Sequence, residues 1–175
     1  MASAKIETQA YRVVHSEKAF EVRYYPSAIL ATVYSGARSY RDLSVWGFRK
    51  LAGYIFGGNA SDTSIAMTSP VHMDINDTRS SMSFVMPSSY DMEKLPKPRN
   101  SEIVLETMED QYLASLRFGG YASDRKIKRY SDKLKHLLEA KGMAYHGNFR
   151  YLGYNPPYQF WGRRNEVVVS VTWKE

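Results

Sequence analysis

Ile29-Leu30-Ala31-Thr32-Val33-Tyr34-Ser35-Gly36 and Tyr112-Leu113-Ala114-Ser115-Leu116-Arg117-Phe118-Gly119 read as two versions of one strand, 83 residues apart. Each follows another β-rich run, Phe20 to Tyr25 in the first case and Ile103 to Met108 in the second. Each precedes a helical pattern that stops at glycine, Gly57 and Gly58 or Gly142. A proline-containing segment comes next, Met67-Thr68-Ser69-Pro70-Val71 or Tyr154-Asn155-Pro156-Pro157-Tyr158. A hydrophobic run closes each copy, Met82 to Met86 and Val167 to Val171. The period is too long for a solenoid repeat. It predicts two half-domains of strand, strand, helix, strand, strand, at approximately 18–88 and 101–173. Such halves bury their sheets against each other and leave a cleft at the pseudo-twofold seam.

The proline-bearing connector Ser88 to Asn100 is short for a domain linker, so residues 1–175 read as one domain. Hydrophobic content of 43% with 24% charged residues is ordinary for a globular chain. The absence of cysteine excludes disulfides, thiol catalysis and cysteine-ligated metal. No stretch reaches the length of a membrane-spanning helix, and Met1-Ala2-Ser3-Ala4 lacks a signal-peptide core. The expectation is a soluble, cytoplasmic chain, although a leader already removed would leave no trace. A net charge of +6 favours anionic partners, yet no nucleic-acid recognition motif accompanies it. Nucleic acid is therefore not the expected partner, and the oligomeric state is left open.

The two helical patterns differ. The second begins at Ser123, a good N-cap, with Asp124 in its first turn and Gly142 after its end. Ile127, Tyr130, Leu134, Leu137 and Leu138 form one stripe, backed by basic residues from Arg125 to Lys141. That is a core stripe with a solvated face, or less simply a basic docking helix. In the first, Ser39 and Asp42 make a capping signal. Val45, Phe48, Leu51, Ala52, Ile55 and Phe56 form a broad apolar arc, and Leu43, Trp46 and Tyr54 form a second. A helix on a sheet needs one such stripe, so an apolar surface is left over. It either packs on the other half, lines a pocket or meets a partner. Between strands, Ile103 to Met108 and Tyr112 to Phe118 are expected to form a hairpin around Glu109-Asp110-Gln111.

Catalytic signals are missing. His15, His72, His136 and His146 stand alone, without metal-ligand spacing. There is no nucleophile elbow, P-loop or dinucleotide glycine motif. A non-enzymatic chain without a metal centre is expected. The segment Tyr154 to Glu166 is unusual: prolines restrain it, aromatics crowd it, and Arg163-Arg164 follow. Arginine grips carboxylates bidentately and aromatic faces take flat ligands. Either the loop is a rigid turn covering the sheet end, or it helps to bind a large, flat, apolar anion.

Six segments together resemble the SOUL haem-binding protein family along most of the chain. They are Phe20 to Tyr25, Tyr54 to Asn59, Ile65 to Val71, Phe84 to Pro87, Phe118 to Tyr121, and Gly153 to Pro157 with Gly162 to Val167. The resemblance implies an α+β fold: a distorted antiparallel β-barrel of about eight strands with two helices and duplicated halves, similar to bacterial effector-binding domains. It also implies binding of haem or related tetrapyrroles without demonstrated catalysis, as carrier, buffer or scavenger. The family's site uses the exposed face of the first helix, here at Val45, Phe48, Ala52 and Gly53, and the loop before the last strand, at Gln159 and Arg163. Arg49, Leu51, Ile55 and Tyr158 complete the expected binding set, with Arg163 and Arg49 or Lys50 pairing with the propionates. Val45, Gly53 and Gln159 stand where relatives carry basic side chains. Tyr24 stands where some relatives place a histidine, so haem is expected to lack a histidine axial ligand, with Tyr24 a weak candidate. The alternative is a small-molecule sensing or protein-interaction module that uses the same cleft for a non-haem ligand.

Overall fold

A computed structural model describes residues 5–156 and 159–175. In chain order the elements are β1 (Glu7–Thr8), β2 (Arg12–Ser16), β3 (Glu21–Tyr25), β4 (Ala28–Ser35), α1 (Tyr40–Ile55), β5 (Thr68–Ser69), β6 (Val71–Asp74) and β7 (Ser80–Val85). The second half contains β8 (Ile103–Met108), β9 (Gln111–Phe118), α2 (Asp124–Ala140), β10 (Tyr145–Gly153) and β11 (Asn165–Val171). The 83-residue offset carries β4 onto β9 without a gap, end to end.

Nine strands form one antiparallel sheet in the order β2-β3-β9-β11-β10-β6-β7-β4-β8, and β1 pairs with β5 in parallel beside it. The expected distorted barrel of about eight strands takes the form of a nine-stranded half-barrel, with β2 and β8 as its edges. The expected hairpin does not form. β8 pairs with β4, and β9 pairs with β3 and β11, so each half lends its first strand to the other. Neither Glu109 nor Asp110, the two residues between β8 and β9, adopts the positive φ of a two-residue hairpin turn.

Both helices cover one face of the sheet. Val22, Val33, Leu51, Ile55, Met82, Leu116, Leu134 and Val169 meet there in the main core. Strand alternation sends Tyr25, Leu113, Leu152, Val168 and Met108 to the opposite face, where they form a smaller core. The helix caps follow the sequence: Ser39 Oγ accepts from Asp42 N at 3.1 Å and Ser123 Oγ from Lys126 N at 3.2 Å. Each cap is worth about 1 kcal/mol. At the far end of α1, buried Asn59 donates Nδ2 to the carbonyl of Tyr54 at 3.0 Å, and Gly57 takes φ +116. Gly142, with φ +66, closes α2.

The two apolar arcs of α1 sort differently from the expectation. Leu43, Gly47, Leu51, Tyr54 and Ile55 face the sheet, which mixes members of both arcs. Gly47 decides the choice, because a Cβ there would lie 3.1 Å from the Met82 side chain, so its absence lets the helix settle on β7. The surface left over is Val45, Phe48 and Phe56.

Candidate functional site

Helix α1 lies over β4 and β7, and α2 over β9, β10 and β11, so β6 and β10 run along the seam between them. Positions 45, 48, 52 and 56 fall on one stripe of α1 by their three- and four-residue spacing. Val45 is 69% exposed and Phe48 46%, whereas Ala52, one turn beyond Phe48 and expected in the ligand wall, is buried. The Phe48 ring packs edge-on to Phe84 of β7 at 5.5 Å. Leu51 and Ile55, expected in the ligand wall, are 0% and 1% exposed and belong to the core. They sit one residue away from the stripe, and each step along a helix turns about 100°.

Val45 and Arg49 share a shallow depression of about 500 Å³ with Arg41, Trp46 and Lys50 on the outer side of the helix. Lys50 is occupied: its Nζ lies 3.1 Å from Glu102 and 5.0 Å from the Trp46 ring. Arg49 is exposed and has no carboxylate partner among the described residues. Gly53 is exposed, with open space where a side chain would stand.

The N-termini of the two helices meet at the seam. The Tyr40 amide donates to Asp124 at 2.8 Å, and the Tyr40 ring is edge-on to Tyr151. Tyr151 donates its hydroxyl to Asn165 Oδ1 at 2.6 Å, and Asn165 Nδ2 donates to the carbonyl of Gly120 at 2.7 Å. Burial, with Tyr40 nearby, holds the Tyr151 hydroxyl well above the usual tyrosine range, so it stays a donor. Sequence reasoning missed Tyr40, Tyr151 and Phe84 as site neighbours. Phe84 and Asn165 at least stood within segments that carried the family resemblance.

Arg163 staples the loop before β11. Its Nη1 donates to the carbonyls of Pro156 at 2.7 Å and Gln159 at 3.0 Å, its Nε reaches Gly120 at 3.3 Å, and it stacks over Tyr121. It has no carboxylate partner among the described residues. Gln159 donates to the carbonyl of Trp161 at 2.9 Å. Phe160 and Trp161 project from the loop, 76% and 74% exposed. Tyr158 lies outside the described residues.

Tyr24 is elsewhere, on β3 near the sheet edge, donating to Asp110 at 3.1 Å. That hydrogen bond raises its pKa, which opposes the tyrosinate form. Among the described residues no three histidine, aspartate or glutamate side chains cluster as a metal site. His72 is buried against Gln9 at 2.7 Å, and His15 bonds Glu17. No helix among the described residues is long and apolar enough to cross a membrane.

A profile described as SOUL heme-binding protein matches residues 6–170. The chain belongs to the SOUL haem-binding protein family. Among relatives, Heme-binding protein 1 of Xenopus laevis is 32% identical over 157 residues, covering 85% of this chain and 82% of the relative. Heme-binding protein 2 of mouse is 26% identical, covering 85% and 76%. The SOUL fold extends beyond these names. The C-terminal domain of EcmrR superposes with a TM-score of 0.64 at 10% identity, covering 93% of this chain and 98% of that domain. A structure from Listeria innocua titled a hydrolase superposes at 0.61 and 10%, covering 91% and 94%. At these identities the likeness concerns fold alone.

Proposed function

We propose that this SOUL-family chain binds haem or a related tetrapyrrole without turning it over. Phe48 and Val45 offer the apolar surface, Gly53 leaves the helix open to close approach, and Arg49 and Arg163 face the propionates. The observation that carries this reading is the half-exposed Phe48, packed edge-on to Phe84. A helix already holding a complete core stripe has no packing need for further apolar side chains. Large ligand sites are built from such surfaces with a few placed cations. Neither α1 nor the loop before β11 contains a histidine, so haem bound here would take no histidine ligand from either.

Titration with hemin tests it. The expected result is a saturable Soret shift at one equivalent, weakened at least tenfold in Phe48→Asp, about 1.4 kcal/mol. An unchanged spectrum up to about tens of micromolar hemin overturns the reading. Stability of that spectrum under air and reductant separates binding from turnover.

A second reading keeps the cleft and changes the ligand to a flat apolar molecule of lower charge. It is favoured by the three carbonyls that already engage Arg163. A thermal-shift screen in which such a compound raises the melting temperature and hemin does not would select it.

A further inference from the structure

The sheet face opposite the helices carries a second concavity, of about 300 Å³. The β2–β3 turn, with Lys18, forms one rim, β3 contributes Glu21 and Arg23, and β9 contributes Ser115 and Arg117. Arg164 and Tyr11 close it. Four cations thus surround the space, and their partners are unequal. Arg23 bonds Glu21 at 2.6 Å and Glu166 at 2.7 Å, and Arg164 shares Glu166 at 2.9 Å. Glu17 also lines the cleft, but its carboxylate is held by His15 and Lys141. Lys18 and Arg117 are exposed and have no acidic partner among the described residues. Two positive charges are therefore uncompensated.

An independent observation lies at the base of the same cleft. Ser115 is 2% exposed, and its Oγ is a buried polar side-chain atom with no hydrogen-bond partner among the described residues. Buried hydroxyls are nearly always satisfied, so an orphan at the base of a cationic cleft asks for an acceptor. Phosphate meets the requirement: it presents several strong acceptor oxygens and carries a charge of about −1.5 to −2 near neutrality when esterified.

We propose that this cleft binds a phosphate group, with Arg117 and Lys18 supplying the charge and Ser115 donating its hydroxyl. The site is separate from α1, so it stands or falls independently of tetrapyrrole binding. Amide NMR titration at constant ionic strength with inorganic phosphate and with phenyl phosphate tests it. The expected result is saturable shifts confined to residues 16–21 and 113–117, with a dissociation constant below about 1 mM. Arg117→Gln should weaken binding about tenfold, since a charge-assisted bond is worth about 1.5–3 kcal/mol. Ser115→Ala should weaken it several-fold while leaving the melting temperature unchanged, because the hydroxyl holds nothing inside the protein. Lys133→Gln on α2 should change neither. Tighter binding of phenyl phosphate than of phosphate identifies an ester whose organic part rests on Tyr11, and equal binding identifies free phosphate. Absence of saturation to about 10 mM, shifts spread over the basic face of α2, or undiminished binding in Arg117→Gln overturns the proposal.

Discussion

Arg23 grips Glu166 from two strands away: Nη1 and Nη2 each lie 2.7 Å from a separate carboxylate oxygen, with the side chains 3% and 0% exposed. The two residues come from the first and last segments that carry the family resemblance. Burial pushes the Glu166 carboxyl up, but the hydrogen bonds and charge of Arg23, with Tyr154 and Arg164, outweigh it and hold it below the usual range. The pair therefore ties β3 to β11 across β9.

Removing one member leaves a buried charge without its partner. Glu166→Ala is expected to cost about 3–5 kcal/mol, read as a lower urea midpoint. An unchanged midpoint would mean that Glu21 alone satisfies Arg23.

Two positions three residues apart on α1 should behave in opposite ways. Leu51→Ala opens the core and is expected to cost about 2–5 kcal/mol, with hemin affinity of the folded protein preserved. Phe48→Ala should cost less stability and lose hemin affinity. Equal loss of affinity in both variants would place the ligand beneath the helix instead of on it.

His72 gives the molecule an acid-sensitive point. Burial, aided by the charge of Arg150, pushes its pKa down to about 3. The unfolded chain takes up a proton near the ordinary value of about 6.5, whereas the fold refuses it until far lower pH. Stability is therefore full above about pH 7 and falls as pH drops below 6.5. The loss by pH 5 is on the order of 2 kcal/mol. Glu175, lowered to about 2 by Arg12 and Tyr112, and Glu17 add their own losses only below the ordinary carboxylate range. His72→Gln should flatten the urea midpoint between pH 7 and pH 5; an identical slope in that variant would assign the effect elsewhere.

Arg163→Ala should release the loop before β11, because three carbonyls lose one shared donor. Faster amide exchange at 159–163 with the exchange of β11 unaltered is the expected pattern. Unchanged loop exchange would show that Asn155 and the prolines hold it alone.

The duplication was legible because β4 and β9 share the Leu-Ala pair and the closing glycine at one offset, with a similar β-rich run around them. The helix limits were legible because Ser39, Ser123, Gly57 and Gly142 are chemical punctuation. Strand β10 escaped notice, since Tyr145 to Gly153 is polar and contains two glycines and a register shift between His146 and Arg150. Pairing partners escaped as well: alternation tells which face a residue takes but not which strand lies beside it. On α1 the wheel showed surplus apolar residues correctly but could not say which ones. Gly47 decides that, and its influence depends on Met82, which belongs to another strand.

The exchange of strands between halves has a consequence for the chain as a whole. Cut within the connector around residue 95, neither fragment holds a finished sheet: β4 would lack β8, and β9 would lack β3. Each piece alone would be an aggregation-prone remnant with bare edges, while the two mixed together should reassemble, like interlocked fingers, into a nicked but native molecule.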